Sequence, residues 1–210
     1  MNWGALKTAV TGYSARSAAS LSGMWSTWLA LAEQRIYQGD PRTDVDQLRV
    51  AQMLTTVSPF TTATVPSDSV QLDRLTLIRS GRRRQLELRP LGEITTLQTD
   101  AGDPKFYGIQ GTSIVYGPAL SSTDVVELLY WAKFAAPSAD TDENWLMANA
   151  PAVYLHAILA EVWDYLMNAD KREQSLMKWA AAQKALLEQD DQDVHSGSHL
   201  RVVNSGMTRW

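Results

Sequence analysis

The chain contains no cysteine, which removes disulfides, thiolate metal sites, iron–sulfur clusters and thiol nucleophiles together. Histidine is nearly as scarce, with three residues in 210, so imidazole has little scope as a general base or metal ligand. No stretch of about 18 apolar residues occurs, and residues 1–10 lack the basic and apolar regions of a secretory signal, so no membrane partner is expected and synthesis in the cytosol is. An excess of positive charge is missing as well. Lys+Arg total 19 against 23 Asp+Glu, a net charge of -4, so no global basic field draws the protein to nucleic acid, and any DNA contact must be local. What is present is ordinary: 45% hydrophobic and 20% charged residues describe a folded globular chain of one domain or two small ones.

Periodicity divides the sequence. After Asn2, a good N-cap, Leu6, Ala9, Val10 and Tyr13 recur at helical spacing and predict a helix from Trp3 to about Arg16. Met24, Trp28, Leu31, Ala32 and Ile36 predict a second, from about Gly23 to Tyr37, stopped at Gly39, Asp40 and Pro41. The two are expected to pack together, with Trp25 and Trp28 as packing residues. From about 50 to 134 the vocabulary changes to short alternating runs rich in Thr, Val, Leu and Ile, divided by turn residues. Leu72, Leu75, Leu77 and Ile78 lead to a turn at Ser80 and Gly81, with Leu86 and Leu88 on the return strand. Residues 105–110 and 112–116 form a second pair, 125–133 a central strand, and 90–97 a short helix.

Asp140 and Glu143 have capping-box spacing for a short turn at 144–147. Asn149 and Pro151 open the strongest helical pattern, carried by Leu155, Ile158, Leu159, Val162 and Leu166. A further helix from about Lys171 to Glu188 follows after a short connection, which makes the pair an antiparallel hairpin. The resulting fold class is α+β: N-terminal and C-terminal antiparallel helices form a bundle, an antiparallel β-hairpin region is inserted, and an extended tail follows. The divisions are 1–49, 50–136, 137–189 and the tail 190–210, which either stays unordered when free or orders against a partner through its apolar residues.

No catalytic constellation emerges. His195 and His199 are spaced i, i+4, but Ser196, Gly197 and Ser198 between them disfavour the helix that would bring them together on a metal. Asp140, Asp142 and Asn144 imitate the start of a calcium loop, which fails where Trp145 replaces the turn glycine and Pro151 the bidentate carboxylate. His156 reads as a histidine at a helix border. No phosphate-cradling or nucleotide-binding glycine motif is present, so neither a metal nor a cofactor is expected. A carboxylate pair for glycoside hydrolysis would come from among Glu33, Glu87, Glu93, Glu127, Glu143 and Glu161, of which Glu33 and Glu161 are expected to pair with Arg35 or another base.

One basic concentration stands out: Arg79, Arg82, Arg83, Arg84 and Arg89 around the hairpin turn. Guanidinium forks suit carboxylate or phosphate partners. A solvated turn, contact with an acidic neighbouring subunit and contact with DNA phosphates are the three readings, the second favoured over the third because no aromatic residues interleave for base stacking. Residues 140–193 carry eleven acids against four bases, so a complementary surface lies on the same chain, and identical subunits could join the two in a heterologous contact.

The order of these parts resembles the head-to-tail adaptor, or head completion, proteins of tailed bacteriophages. Carrying the likeness are Ala32-Glu33-Gln34-Arg35-Ile36; Val65-Pro66-Ser67-Asp68 ahead of the arginine hairpin; Tyr116-Gly117-Pro118 before Val126-Glu127-Leu128-Leu129-Tyr130-Trp131; and, above all, Asn144-Trp145-Leu146-Met147-Ala148-Asn149-Ala150-Pro151 with Tyr154-Leu155. The resemblance implies a non-enzymatic virion component of the neck that forms a twelve-subunit ring on the portal, extends the DNA channel and receives a downstream tail protein. It further implies a portal-binding C-terminal segment, here Leu200, Arg201, Val202, Val203, Met207, Arg209 and Trp210, with Trp210 as its hot spot. Arg79, Arg82, Arg83 and Arg84 would then touch a neighbouring subunit or DNA in the channel. Some adaptors of short-tailed phages resemble cell-wall hydrolases as well, so a peptidoglycan hydrolase is one alternative, and a small DNA-binding module is the other.

Overall fold

A computed structural model describes residues 1–49, 51–57, 63–100, 102–121 and 123–195. The chain opens with helices α1 (Trp3–Ser14), α2 (Ala18–Leu21) and α3 (Trp25–Gln38), then runs through strands β1 (Ala51–Val57), β2 (Ala63–Thr64), β3 (Ser69–Arg79), β4 (Arg82–Gln85) and β5 (Glu87–Leu88). A short helix α4 (Leu91–Leu97) precedes β6 (Phe106–Gln110), β7 (Ser113–Gly117) and β8 (Val125–Ala132), and the described chain closes with α5 (Trp145–Asn149), α6 (Pro151–Tyr165) and α7 (Ala169–His195).

Local chemistry fixes the helix ends. Asn2 caps α1 by accepting from the Ala5 amide at 2.9 Å, and Asn144 caps α5 by accepting from that of Met147 at 2.9 Å. The capping box expected from Asp140 and Glu143 does not form: Asp142 accepts from the backbone of Ser138 and Ala139 instead, Asp140 pairs with Lys7, and Glu143 takes the N-terminal amine. Nor does Asn149 cap α6, which starts at Pro151 behind Ala150 while the Asn149 amide donates back to the Trp145 carbonyl. Gly39 ends α3 at φ 73°, where a Cβ would stand 2.4 Å from the Val45 carbonyl oxygen, so the tight return to Asp40 and Val45 requires glycine.

The helices share one apolar core. Val153, Tyr154, Ala157, Ile158 and Val162 of α6 are completely buried at its centre. Helices α1 and α3 both have their main contacts with α6, which corrects the direct pairing expected for them; the two meet through the edge of Trp3 on Trp25, centroids 6.1 Å apart. Asp164 pairs with Arg172, and His156 and Lys178 line one groove, so α6 and α7 run antiparallel as the short connection predicts. Helix α7 passes the expected end at Glu188 and reaches His195. The helix therefore continues past residue 190, and no glycine or proline interrupts the sequence before Gly197.

The strands form two four-stranded sheets, ordered β1-β8-β3-β4 and β2-β7-β6-β5. The first is antiparallel throughout, and β8 alternates between a buried face at Val126, Leu128, Tyr130 and Ala132 and a half-exposed face at Val125, Glu127, Leu129 and Trp131. Strands β3 and β4 make the expected hairpin. Ser80 and Gly81 both have positive φ, 50° and 76°, and Arg79 pairs with Arg82, the two-residue turn that suits strand twist. The return strand, however, leaves the first sheet at Gln85. Leu86 turns into the core, and β5 then pairs in parallel with β6 in the second sheet, which corrects the single return strand expected to run through Leu88 and leaves that residue 56% exposed.

Candidate functional site

The arginine cluster separates into two kinds once folded. Arg79 forms a bidentate pair with Asp124, Nε to Oδ1 at 2.6 Å and Nη2 to Oδ2 at 2.5 Å, and also binds Asp103. The Asp124 side chain is fully buried and accepts in addition from the Ser121 amide at 2.8 Å. The Arg79 guanidinium holds the Asp124 carboxyl below its usual range, against the opposing effect of burial, and the same bonds raise the Arg79 pKa. This pair locks the turn end of the hairpin to the residue ahead of β8. Arg83 pairs with Glu127 at 2.8 Å on the outer sheet face, and Arg89 pairs with Glu87 at 2.9 Å beside the ring of Phe106. Arg82 and Arg84 alternate with Arg83 along β4, are exposed, and have no ion-pair partner among the described residues.

Four of the eleven acids of residues 140–193 form ion pairs within the chain. Asp140, Glu143 and Asp164 are paired as described, and Glu161 lies 2.6 Å from Arg35, the guanidinium of which stands over the Trp179 ring. The calcium-loop residues are all accounted for by these turn, cap and ion-pair contacts. His195 is the last residue of α7, and His199 lies outside the described residues. His156 faces a groove with Tyr13, Trp163, Lys171 and Lys178, where burial and the Lys178 ammonium hold its pKa down. The tail residues Leu200, Arg201, Val202, Val203, Met207, Arg209 and Trp210 lie outside the described residues too.

Two features were missed by sequence reasoning. Gln183, fully buried on α7, donates through Nε2 to the carbonyls of Ile36 and Asp46 at 2.9 and 2.8 Å, which clamps α7 to the exit of α3. Its only sequence signal was a polar residue beside an apolar stripe. The other is a cavity of about 560 Å³ between α1, α3 and residues 136–138, walled by Trp3, Trp25, Leu29 and Pro137, with Glu33 lining it. Glu33 does not pair with Arg35 as expected; Glu161 does. Its carboxylate accepts from Tyr154 Oη at 3.0 Å, that hydroxyl in turn accepts from Asn144 Nδ2 at 3.1 Å, and burial raises the Glu33 pKa. Among the described residues lining this cavity Glu33 is the one carboxylic acid, whereas glycoside hydrolysis ordinarily uses two.

Comparison with known families decides how these surfaces are to be understood. A family model described as "SU10 adaptor protein" matches residues 1–203. The chain belongs to this adaptor family. No curated protein matches the chain. Membership makes the protein a structural adaptor of a phage virion, a family that implies interaction with portal and tail proteins. No described helix of the adaptor is long and apolar enough to cross a membrane.

Proposed function

We propose that the protein forms a twelve-subunit ring beneath the portal in the virion neck, extends the DNA channel, and offers its far face to the next tail protein. The observation that carries this reading is the adaptor-family match over residues 1–203. Two further features support it. The exposed arginine edge and the aromatic cavity are different surfaces of one chain, which is what heterologous contact between identical subunits requires. The segment after His195 holds apolar and aromatic residues, Leu200, Val202, Val203, Met207 and Trp210, suited to ordering against a partner. In this reading that segment, with Arg201 and Arg209, anchors each subunit to the portal and Trp210 is the hot spot. Twelve modest contacts on one template give high avidity.

Light scattering on the chain alone, on its cognate portal and on the mixture tests this. A stoichiometric increase in portal mass is expected with the full chain and is lost with a truncation ending at His195. An unchanged portal mass with the full chain would overturn the reading. A salt-steep affinity for DNA without portal would favour the DNA-binding module instead.

A further inference from the structure

The cavity at the α1–α3 end has the chemistry of an arginine receptor. Trp3 and Trp25 meet edge to face, and Trp25 also meets Trp28 at 5.5 Å, so the walls are fixed by one another. Indole faces attract guanidinium groups, and a carboxylate beside them completes the site. Glu33 supplies that carboxylate and has no ion-pair partner among the described residues; the groups bonded to or near it are Tyr154 Oη and, at longer range, Lys133, which stands over the Tyr37 ring. The cation lining the cavity, Lys7, is neutralised by Asp140. At about 560 Å³ the space falls within the range of ordinary ligand pockets. Burial has raised the Glu33 pKa, and a guanidinium placed against it would reverse that shift.

Arginines without partners lie at the other end of the molecule. Arg82 and Arg84 project from an edge strand just beyond the Ser80–Gly81 turn. They cannot reach the cavity of their own chain. Ile78, beside the turn, pairs with Val125 at the start of β8, whereas the cavity wall at residues 136–138 follows the end of β8. The eight residues of β8 separate the two by about 26 Å, far beyond one side chain.

We propose that the β3–β4 hairpin tip of one copy docks in the α1–α3 cavity of the next, with Arg82 or Arg84 between Trp25 and Glu33. This rests on the ring reading and deepens it. The contact joins opposite ends of the subunit, so it is heterologous and propagates around a closed ring. Charge complementarity argues for a second copy as occupant: the site offers an aromatic wall and a carboxylate, and this chain exposes two unpaired guanidiniums.

The absence of cysteine makes the test direct, because an engineered pair is the only disulfide possible. Ser26 lines the cavity and Ser80 forms the turn. On the portal-bound complex, oxidation of the S26C/S80C chain is expected to give a ladder of covalently linked copies, which S80C alone does not give. Arg82→Ala with Arg84→Ala, and separately Glu33→Gln, are expected to weaken portal-templated assembly about tenfold or more while leaving the unfolding midpoint in place. A full-mass ring from R82A/R84A with no S26C–S80C ladder would overturn the proposal while leaving the ring reading intact. A disulfide from S26C to a cysteine at Thr208, in place of Ser80, would make the chain's own tail the occupant and would also overturn it. Failure of the ring reading itself is separate, since the unmodified chain would then add no mass to the portal.

Discussion

The helical and β halves of this adaptor treat charge in opposite ways. In the helical half, ionic and polar groups close on themselves: Arg35 with Glu161, Asp164 with Arg172, and the Gln183 clamp on the α3 exit. In the β half, one ion pair with a buried carboxylate lies beside the hairpin turn and the rest of the arginine cluster is left toward the outside. The sizes of the apolar clusters run parallel to this. The helices bury one core around α6, with Trp179 completely enclosed, whereas the first sheet's core is the smaller group around Leu75, Leu128 and Tyr130. The helical half thus holds the larger core, and in the β half Arg79 anchors the hairpin beside its turn, directly opposite the exposed Arg82.

The largest expected effect breaks the comparison at its helical side. Replacing Trp179 by Ala removes a completely buried indole that packs beneath Arg35. A loss of about 3–5 kcal/mol is expected, as for large-to-small changes of core aromatics. Urea denaturation measures it. A loss no larger than that of an exposed-site change would mean that the helical core does not govern stability.

The Arg79–Asp124 pair beside the hairpin turn gives the next largest effect. Because the folded state holds the Asp124 carboxyl below its ordinary 3.8, the pair adds stability at pH values above that, and the contribution disappears as pH falls through the lowered value. Asp124→Asn removes the bidentate carboxylate and leaves Asp103 as the charged partner of Arg79. At about pH 7 a loss of about 2 kcal/mol is expected, with less loss of stability on acidification toward about pH 3 than in the natural chain. Parallel denaturation curves at the two pH values check the sign. A variant that stays as acid-sensitive as the natural chain would place the sensitivity in other carboxylates.

Much of this organisation is legible in the sequence, and the unread parts share a cause. Helices α1, α3 and α6 follow from apolar periodicity because each buries one stripe, and the β3–β4 turn follows from Ser80-Gly81 because few sequences tolerate two successive positive φ values. The continuation of α7 to His195 was missed because the apolar stripe that carries helical periodicity thins out in the sequence after Leu187, and helical propensity alone leaves no periodic trace. The sheet change at Leu86 was missed because alternation specifies a face and does not name the sheet. The division of the arginine cluster depends on Asp124, 45 residues from Arg79 along the chain, and the cavity is assembled from α1, α3 and residues 136–138. Contacts across such distances are set by tertiary packing, on which local spacing carries no information.

The smallest expected effect sharpens the comparison most. Arg82 and Arg84 sit on an exposed edge strand, where charge also discourages unwanted strand pairing. Replacing both by Ala should shift stability by no more than about 0.5 kcal/mol, the range of surface changes away from structural features. By contrast, Arg79→Ala strips the buried Asp124 carboxylate of its guanidinium and should be far more costly, although the two sites are only one turn apart. Thermal unfolding of the two variants side by side measures the contrast. Equal losses would make the whole cluster structural and would remove the exposed arginines as an assembly surface. Unequal losses would separate the arginine that builds the hairpin from those it displays, and any assembly defect of R82A/R84A would then be a defect of contact with no contribution from folding.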